Sequence, residues 1–295
     1  MITLSPEPVM MGGVSARNHL VLAAGVLGTC ASSLSRMLRS GAGAVVTKSI
    51  GPEPRFGHPG PCLVVLEDGL MNAMGLPNPS KQFQDELSAL SGEPVIVSIF
   101  GGNPEQFHEV AGWFADKAQA FELNVSCPHA SGFGAQIGTN PDIVKACTEA
   151  VKEWKKPAWV KLTPNVTDIT SIGKAAEEGG ADAIVAINTV RAMRISTGMR
   201  RPVLGNKYGG LSGKAIFPIA VRCVYELYEA CSIPIIGCGG VSCAEDVIEM
   251  MMAGAQGVEI GSAIVRDPDI FSHICKDLYA PDGISPREIV GCAHG

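Results

Sequence analysis

Short apolar runs rich in Val, Ile and Ala recur along the chain, and between them apolar residues return every three or four positions. The runs cover 20–24, 44–48, 95–99, 120–124, 158–162, 183–188, 234–237 and 257–260. Their near-continuous hydrophobicity is what a parallel sheet covered on both faces requires. In 105–118, Phe107, Val110, Ala111 and Phe114 share one stripe, while Glu105, Glu109 and Asp116 lie off it. Segments 170–178 and 245–253 carry the same helical period. Asn103, Asn140 and Ser242 suit helix N-caps, and proline follows the first two at the first helical position.

Eight strands alternating with helices predict an α/β fold, a (β/α)8 TIM barrel, which uses about 250 residues. An open doubly wound sheet would need a glycine fingerprint after its first strand, and Ala24-Gly25-Val26-Leu27-Gly28 lacks that spacing. Segments 51–93 and 190–215 exceed ordinary loop length, so inserted elements over the barrel mouth are expected. No domain boundary is visible, and residues 1–295 read as a single domain.

Composition narrows the function. The chain has 295 residues, 46% of them hydrophobic and 18% charged, a net charge of −6 and only 5% aromatics. Neither the charge nor the aromatic content suits a phosphate backbone or stacked bases, so nucleic acid is disfavoured. No apolar run reaches the ~18–20 residues that span a bilayer. Residues 20–28, preceded by Arg17, have a signal-peptide look, but they start inside the chain and contain Gly25 and Gly28. A soluble, cytoplasmic protein with no membrane partner is expected. None of the ten cysteines falls in a CxxC pair, and Cys238 and Cys243 come closest. Structural zinc and a self-contained iron–sulfur cluster are therefore disfavoured, and a reducing compartment fits. The histidines lack metal-ligand spacing, so no metal is expected, and no strong carboxylate pair presents itself.

In such a barrel the chemistry gathers where the strands end. The second run ends in Lys48-Ser49, the third contains Ser98 and the fourth ends in Asn124. The fifth carries Lys161, the sixth ends in Asn188-Thr189, and the last two open into Gly239-Gly240 and Gly261-Ser262. A lone lysine at a strand end is usually solvated, and an amide there often satisfies turn backbone. Two lysines on interior-facing runs are harder to dismiss, because an unpaired buried ammonium is costly. Something anionic or carbonyl-rich should lie between them. The paired glycines allow close approach to a phosphate, although tight turns alone would also use them. Cys127 lies just past a strand at the head of a Gly-rich segment, and an ordinary thiol pKa near ~8.5 suits general-base work. Most single cysteines are structural, as the other nine are read here.

Seven segments in order resemble the dihydroorotate dehydrogenases of the cysteine-based class. They are Thr47-Lys48-Ser49, Asn72-Ala-Met-Gly-Leu76-x-Asn78, Leu123-Asn-Val-Ser-Cys127-Pro, Val160-Lys-Leu-Thr-Pro-Asn165, Ile187-Asn-Thr189, Gly209-Gly-Leu-Ser-Gly213 and Gly237-x-Gly-Gly-Val241. The resemblance runs from about Asn18 to Ile264 and is strongest toward the B-type catalytic subunit. It implies a flavin barrel for pyrimidine biosynthesis that oxidises dihydroorotate to orotate. FMN phosphate would sit on Gly239, Gly240, Gly261 and Ser262, with Lys161 at the polar edge of the ring. Ala24, Lys48, Ser49, Ser98, Asn124, Ile187 and Gly213 are also carried over as FMN contacts. Dihydroorotate would be held by Lys48, Asn72, Ala73, Met74, Gly75, Leu76, Asn124, Asn188 and Thr189. Cys127 would take the C5 proton while the C6 hydride moves to flavin N5. The B subtype implies a partner subunit carrying FAD and [2Fe–2S] that passes electrons to NAD+, and a homodimer of catalytic subunits is expected. Three positions depart from the family pattern: Ala24 stands where many relatives have Ser, Ser98 where some have Asn, and Ser262 conservatively replaces the commoner Thr. Cys127-Pro-His129 also resembles the pyrimidine-binding domain of dihydropyrimidine dehydrogenase. A uracil- or thymine-directed flavoenzyme is thus the alternative, and a non-redox sugar-phosphate barrel a more distant one.

Overall fold

Alternate side chains of each apolar run serve two different cores. In the computed structural model, which describes residues 2–126 and 137–295, the runs form strands β1 (Leu20–Leu22), β2 (Ala44–Val46), β3 (Val95–Ile99), β4 (Ala120–Asn124), β5 (Ala158–Leu162), β6 (Ala183–Ala186), β7 (Ile235–Cys238) and β8 (Ala255–Ile260). Each pairs in parallel with its neighbours, and β8 returns to β1, closing an eight-stranded barrel. Val21, Ala44, Val46, Ile96, Ala120, Trp159, Ala183, Val185 and Ile236 fill the interior. The alternating Leu20, Leu22, Val45, Val97, Phe121, Leu123, Val160 and Ile184 pack outward against the helices.

Those helices are α1 (Ala31–Arg39), α2 (Gln84–Ser88), α3 (Pro104–Phe114), α4 (Pro141–Lys152), α5 (Ile169–Glu178), α6 (Phe217–Ala230), α7 (Ala244–Met252) and α8 (Ile270–Leu278). On α3 the stripe Phe107, Val110, Ala111 and Phe114 is fully buried. Asn103 and Asn140 cap α3 and α4, their side-chain oxygens accepting from Gln106 N at 2.9 Å and Asp142 N at 3.0 Å. Asp168, not anticipated as a cap, does the same for α5. Ser242 is not a cap. Residue Cys243 takes that position on α7, and the Ser242 amide and hydroxyl both donate to Asp246 Oδ2 instead.

The barrel is closed below by an antiparallel hairpin of Val9–Met11 and Val14–Ala16. Its turn is held by Trp159, whose Nε1 donates to the Gly12 carbonyl at 2.9 Å. Gly12 has φ +46, and a Cβ there would come within 2.6 Å of Ala183 Cβ, so the turn requires glycine. Above the barrel, the two long inserted segments combine. Leu63–Leu66 and Gly69–Asn72 from the first pair with Gly209–Ser212 and Val190–Ala192 from the second, as one four-stranded antiparallel sheet. A small ribbon, Ile195–Ser196 with Arg201–Pro202, extends from the second segment. No helix among the described residues is long and apolar enough to cross a membrane.

Candidate active site

The polar residues that end the strands meet at one end of the barrel. Ser98 on β3 shares a hydrogen bond with Ser49 beyond β2, Oγ to Oγ, at 2.9 Å. Asn124 at the end of β4 donates to Ser49 Oγ at 3.0 Å and accepts from Asn188 Nδ2 at 3.2 Å. Asn188 Oδ1 in turn accepts from the Thr189 amide at 2.7 Å. This rail of side chains crosses four strand ends, and each amide is fixed by its neighbours before any ligand arrives. Lys48 reaches across to the Gly25 carbonyl at 3.3 Å.

Beside the rail lies a cavity of about 330 Å³, within the ~300–1,000 Å³ typical of small-molecule sites. Its wall includes Ala24, Lys48, Ser49, Asn124, Lys161, Ile187, Asn188 and Thr189, with Gly239, Gly240, Gly261 and Ser262 at another side. The inserted sheet supplies Asn72 and, just beyond it, Met74, Gly75 and Leu76. Gly210 lies opposite Asn72 in that sheet, so the two insertions fix each other over the mouth. Leu76 adopts φ +57 and Asn78 braces the turn, accepting from Gly51 N and Ser80 N and donating to the Leu76 carbonyl.

Three of the expected contacts lie off this wall. Ala73 is fully buried, its amide donating to the Cys62 carbonyl. Ser98 sits beneath Ser49 and reaches the cavity only through it. Gly213 lines a smaller adjoining cavity of about 140 Å³, which it shares with Gly240 and Ser262. Cys127 lies outside the described residues, as do Pro128 and His129. The wall also contains Gly25, Cys238 and Glu259, which the sequence reading did not single out.

The floor of the cavity corrects the expectation that no carboxylate pair exists. Glu122 on β4 and Glu259 on β8 face inward, 0% and 1% exposed, on either side of Lys161. Lys161 Nζ donates to Glu259 Oε2 and lies 3.5 Å from Glu122 Oε2. Burial pulls the Lys161 ammonium down, but Cys238 and the two carboxylates outweigh it, and its pKa ends well above the ordinary value. Burial and the Glu259 charge push the Glu122 carboxyl well up, against the opposing effect of Lys161. The missed signal was a single Glu on the inward phase of two largely apolar strands, Ala120–Asn124 and Ala255–Ile260. A charge there must find a partner inside the barrel.

A closed parallel barrel with its polar groups, glycine turns and inserted lid elements gathered at the strand ends is laid out as a (β/α)8 enzyme. The chain belongs to the dihydroorotate dehydrogenase family of oxidoreductases, whose model, described as "Dihydroorotate dehydrogenase", matches residues 9–281. It is 57% identical over 293 residues to "Dihydroorotate dehydrogenase B (NAD(+)), catalytic subunit" of Methanosarcina mazei, covering 96% of this chain and 93% of that protein. The protein of the same description from Methanocella arvoryzae is 55% identical over 290 residues, 96% of each chain. That from Pyrococcus abyssi is 46% identical over 293 residues, 97% of this chain and 98% of its own.

Proposed function

We propose that this chain is the catalytic subunit of a B-type dihydroorotate dehydrogenase, oxidising dihydroorotate to orotate for pyrimidine biosynthesis with FMN as its cofactor. The observation that carries the reading is the convergence of the rail, the Asn72–Leu76 turn, Lys48 and Lys161 on one cavity, in a chain of this family. Support for a phosphorylated ring cofactor comes from the cavity's own chemistry. Among the described residues, the amides of Gly239, Gly240 and Ser262 donate to no main-chain carbonyl, and Gly239 and Gly240 have φ of +132 and +84. Free amides on glycine turns suit a phosphate. A Cβ at Gly25 would meet nothing within 4 Å, so the backbone there borders open space.

Bound FMN would supply the two-electron acceptor, taking the C6 hydride of the substrate at N5. Lys161 would place a fixed cation at the polar edge of the ring, where negative charge develops on reduction. Lys48 suits the substrate carboxylate, while Asn72, Asn124, Asn188 and Thr189 suit the ring C=O and N–H groups, since an amide both donates and accepts. Cys127, three residues beyond Asn124, would take the C5 proton as general base. Asn124, itself held by Ser49 and through it by Ser98, would keep the substrate ring still, which converts binding into orientation.

A partner subunit relaying electrons to NAD+ through FAD and [2Fe–2S] is part of the proposal. Its support is the description of the relatives as catalytic subunits of an NAD(+) enzyme. The inserted segments also leave Leu63, Val65, Met193, Ile195 and Met199 exposed on the mouth side, surface that suits an interface. A homodimer and a cytoplasmic location complete the reading.

Anaerobic mixing of the FMN-loaded chain with dihydroorotate should bleach the flavin band, and an unchanged band would reject the function. Cys127→Ser should still bind FMN and orotate but reduce flavin at least about a hundredfold more slowly near neutral pH; a wild-type rate moves the base elsewhere. Lys48→Ala should abolish orotate binding, because Lys48 serves the carboxylate that orotate carries and uracil lacks. Tight uracil binding by the unmodified chain would instead favour the dihydropyrimidine reading.

A further inference from the structure

Two carboxyl groups and one ammonium are enclosed beneath the cavity floor. Lys161 is 5% exposed, and Glu122 and Glu259 are essentially inaccessible. With both carboxylates ionised, the cluster would hold one uncompensated negative charge inside the barrel, a costly arrangement. It would also leave both Glu122 oxygens and Glu259 Oε1 without a hydrogen-bond donor among the described residues. One proton removes the excess charge and, shared between the two carboxyl groups, accounts for two of the three oxygens. Glu122 and Glu259 flank the same ammonium and each acts on the other's charge, so a proton on one relieves the repulsion between them. Every other group facing Glu122 fails as a charge partner. Ser98 from β3 is neutral, and burial pushes the Cys238 thiol from β7 well up, so it stays protonated at neutral pH. The inward residues of β1, β2 and β6 are all apolar, namely Val21, Ala44, Val46, Ala183 and Val185.

We propose that Glu122 and Glu259 share one buried proton, held mainly by Glu122, and that this proton positions Lys161 by leaving it a single anionic partner, Glu259. Lys161 then lies at the cavity wall beside Glu259, with donor capacity left for a ring edge above it. Two ionised partners would instead draw the ammonium down between them and set a net negative charge under the ring. Glu122 is thus a positioning residue, acting through Lys161. Its effect on the ring rests on the FMN reading above, whereas the proton count does not.

The test is infrared spectroscopy of the full chain at neutral pH, with isotope-labelled glutamate to assign the carbonyl stretch of a neutral carboxylic acid. The unmodified chain should show one such group. Glu122→Gln removes the proton's holder and should show none. Glu259→Gln leaves Glu122 as the sole counter-ion to Lys161, so it should ionise and also show none. Lys161→Met removes the cation and should show two. A purely structural Glu122 would not produce this pattern. An unmodified chain with no neutral carboxyl, or a band that survives both glutamine variants, overturns the proposal. In the FMN-loaded chain, the plot of flavin midpoint potential against pH should carry an alkaline inflection that Glu122→Gln abolishes. An inflection unchanged in that variant overturns the link to Lys161. A chain that binds no FMN would reject the proposed function, and the infrared count would still decide the shared proton.

Discussion

The two ends of the barrel are made from the same eight strands and have opposite character. At the lower end, the hairpin and Trp159 plug the interior with buried apolar surface, and the indole N–H has its one partner. At the upper end the interior positions turn polar, with Ser98, Glu122, Lys161 and Glu259 below an open cavity. The difference teaches where each part of the free energy goes. Burial below holds the barrel shut, while above it the fold tolerates enclosed charge and amides at the cavity that have no main-chain partner among the described residues. Substitutions at the lower end should therefore act on stability and those at the upper end on binding.

Trp159→Ala should give the largest effect, a loss of about 3–5 kcal/mol of stability from the cavity it opens. Denaturant unfolding measures it, and the surviving folded fraction should keep its preference for orotate over uracil. A change of preference would break the division between the two ends. Asn124→Ala cuts the rail between Ser49 and Asn188 and should weaken orotate binding by about 10–100-fold, the size of one or two lost polar contacts. Titration measures it, with a midpoint of unfolding less altered than in Trp159→Ala. The smallest effect concerns His19 at the lower end, whose Nδ1 is bound to the Gln256 carbonyl at 2.7 Å while Nε2 has no partner among the described residues. Burial lowers its pKa, against the raising effects of that hydrogen bond and of Glu7. The unfolded chain, with an ordinary value near ~6.5, then binds the proton more readily than the folded one. The stability His19 contributes is present above that value and is lost as the pH falls toward and through the lower folded one. His19→Gln should flatten this part of the acid unfolding profile, and an unchanged profile would assign the acid sensitivity to other groups.

The barrel itself was largely legible in the sequence, whereas the hairpin that closes its lower end was not anticipated. All eight strands fall where apolar runs stand, because a strand buried on both faces needs hydrophobicity at every position. Strand edges were less so: the runs 20–24 and 44–48 overshoot β1 and β2 by two residues each, Ala23-Ala24 staying apolar past the ladder and Thr47-Lys48 already belonging to the polar mouth. Ser242 looked like a cap by residue type, but Asp246 one turn later captured its hydroxyl. At the upper end, polar residues closing a run were visible as candidates, whereas Glu122 and Glu259 were not. Each is a lone charge 137 positions from its counterpart, and only closure of the barrel brings them to one lysine.

The inserted sheet has a consequence for the order of assembly. Its central pairing joins Gly69–Asn72 to Gly209–Ser212, segments with four barrel strands between them along the chain. Closing so long a loop carries an entropic cost that few local contacts offset until the intervening scaffold has brought the ends together. The Asn72–Leu76 wall is therefore a late-folding part of the molecule. A newly made chain acquires its container first and its selectivity afterwards.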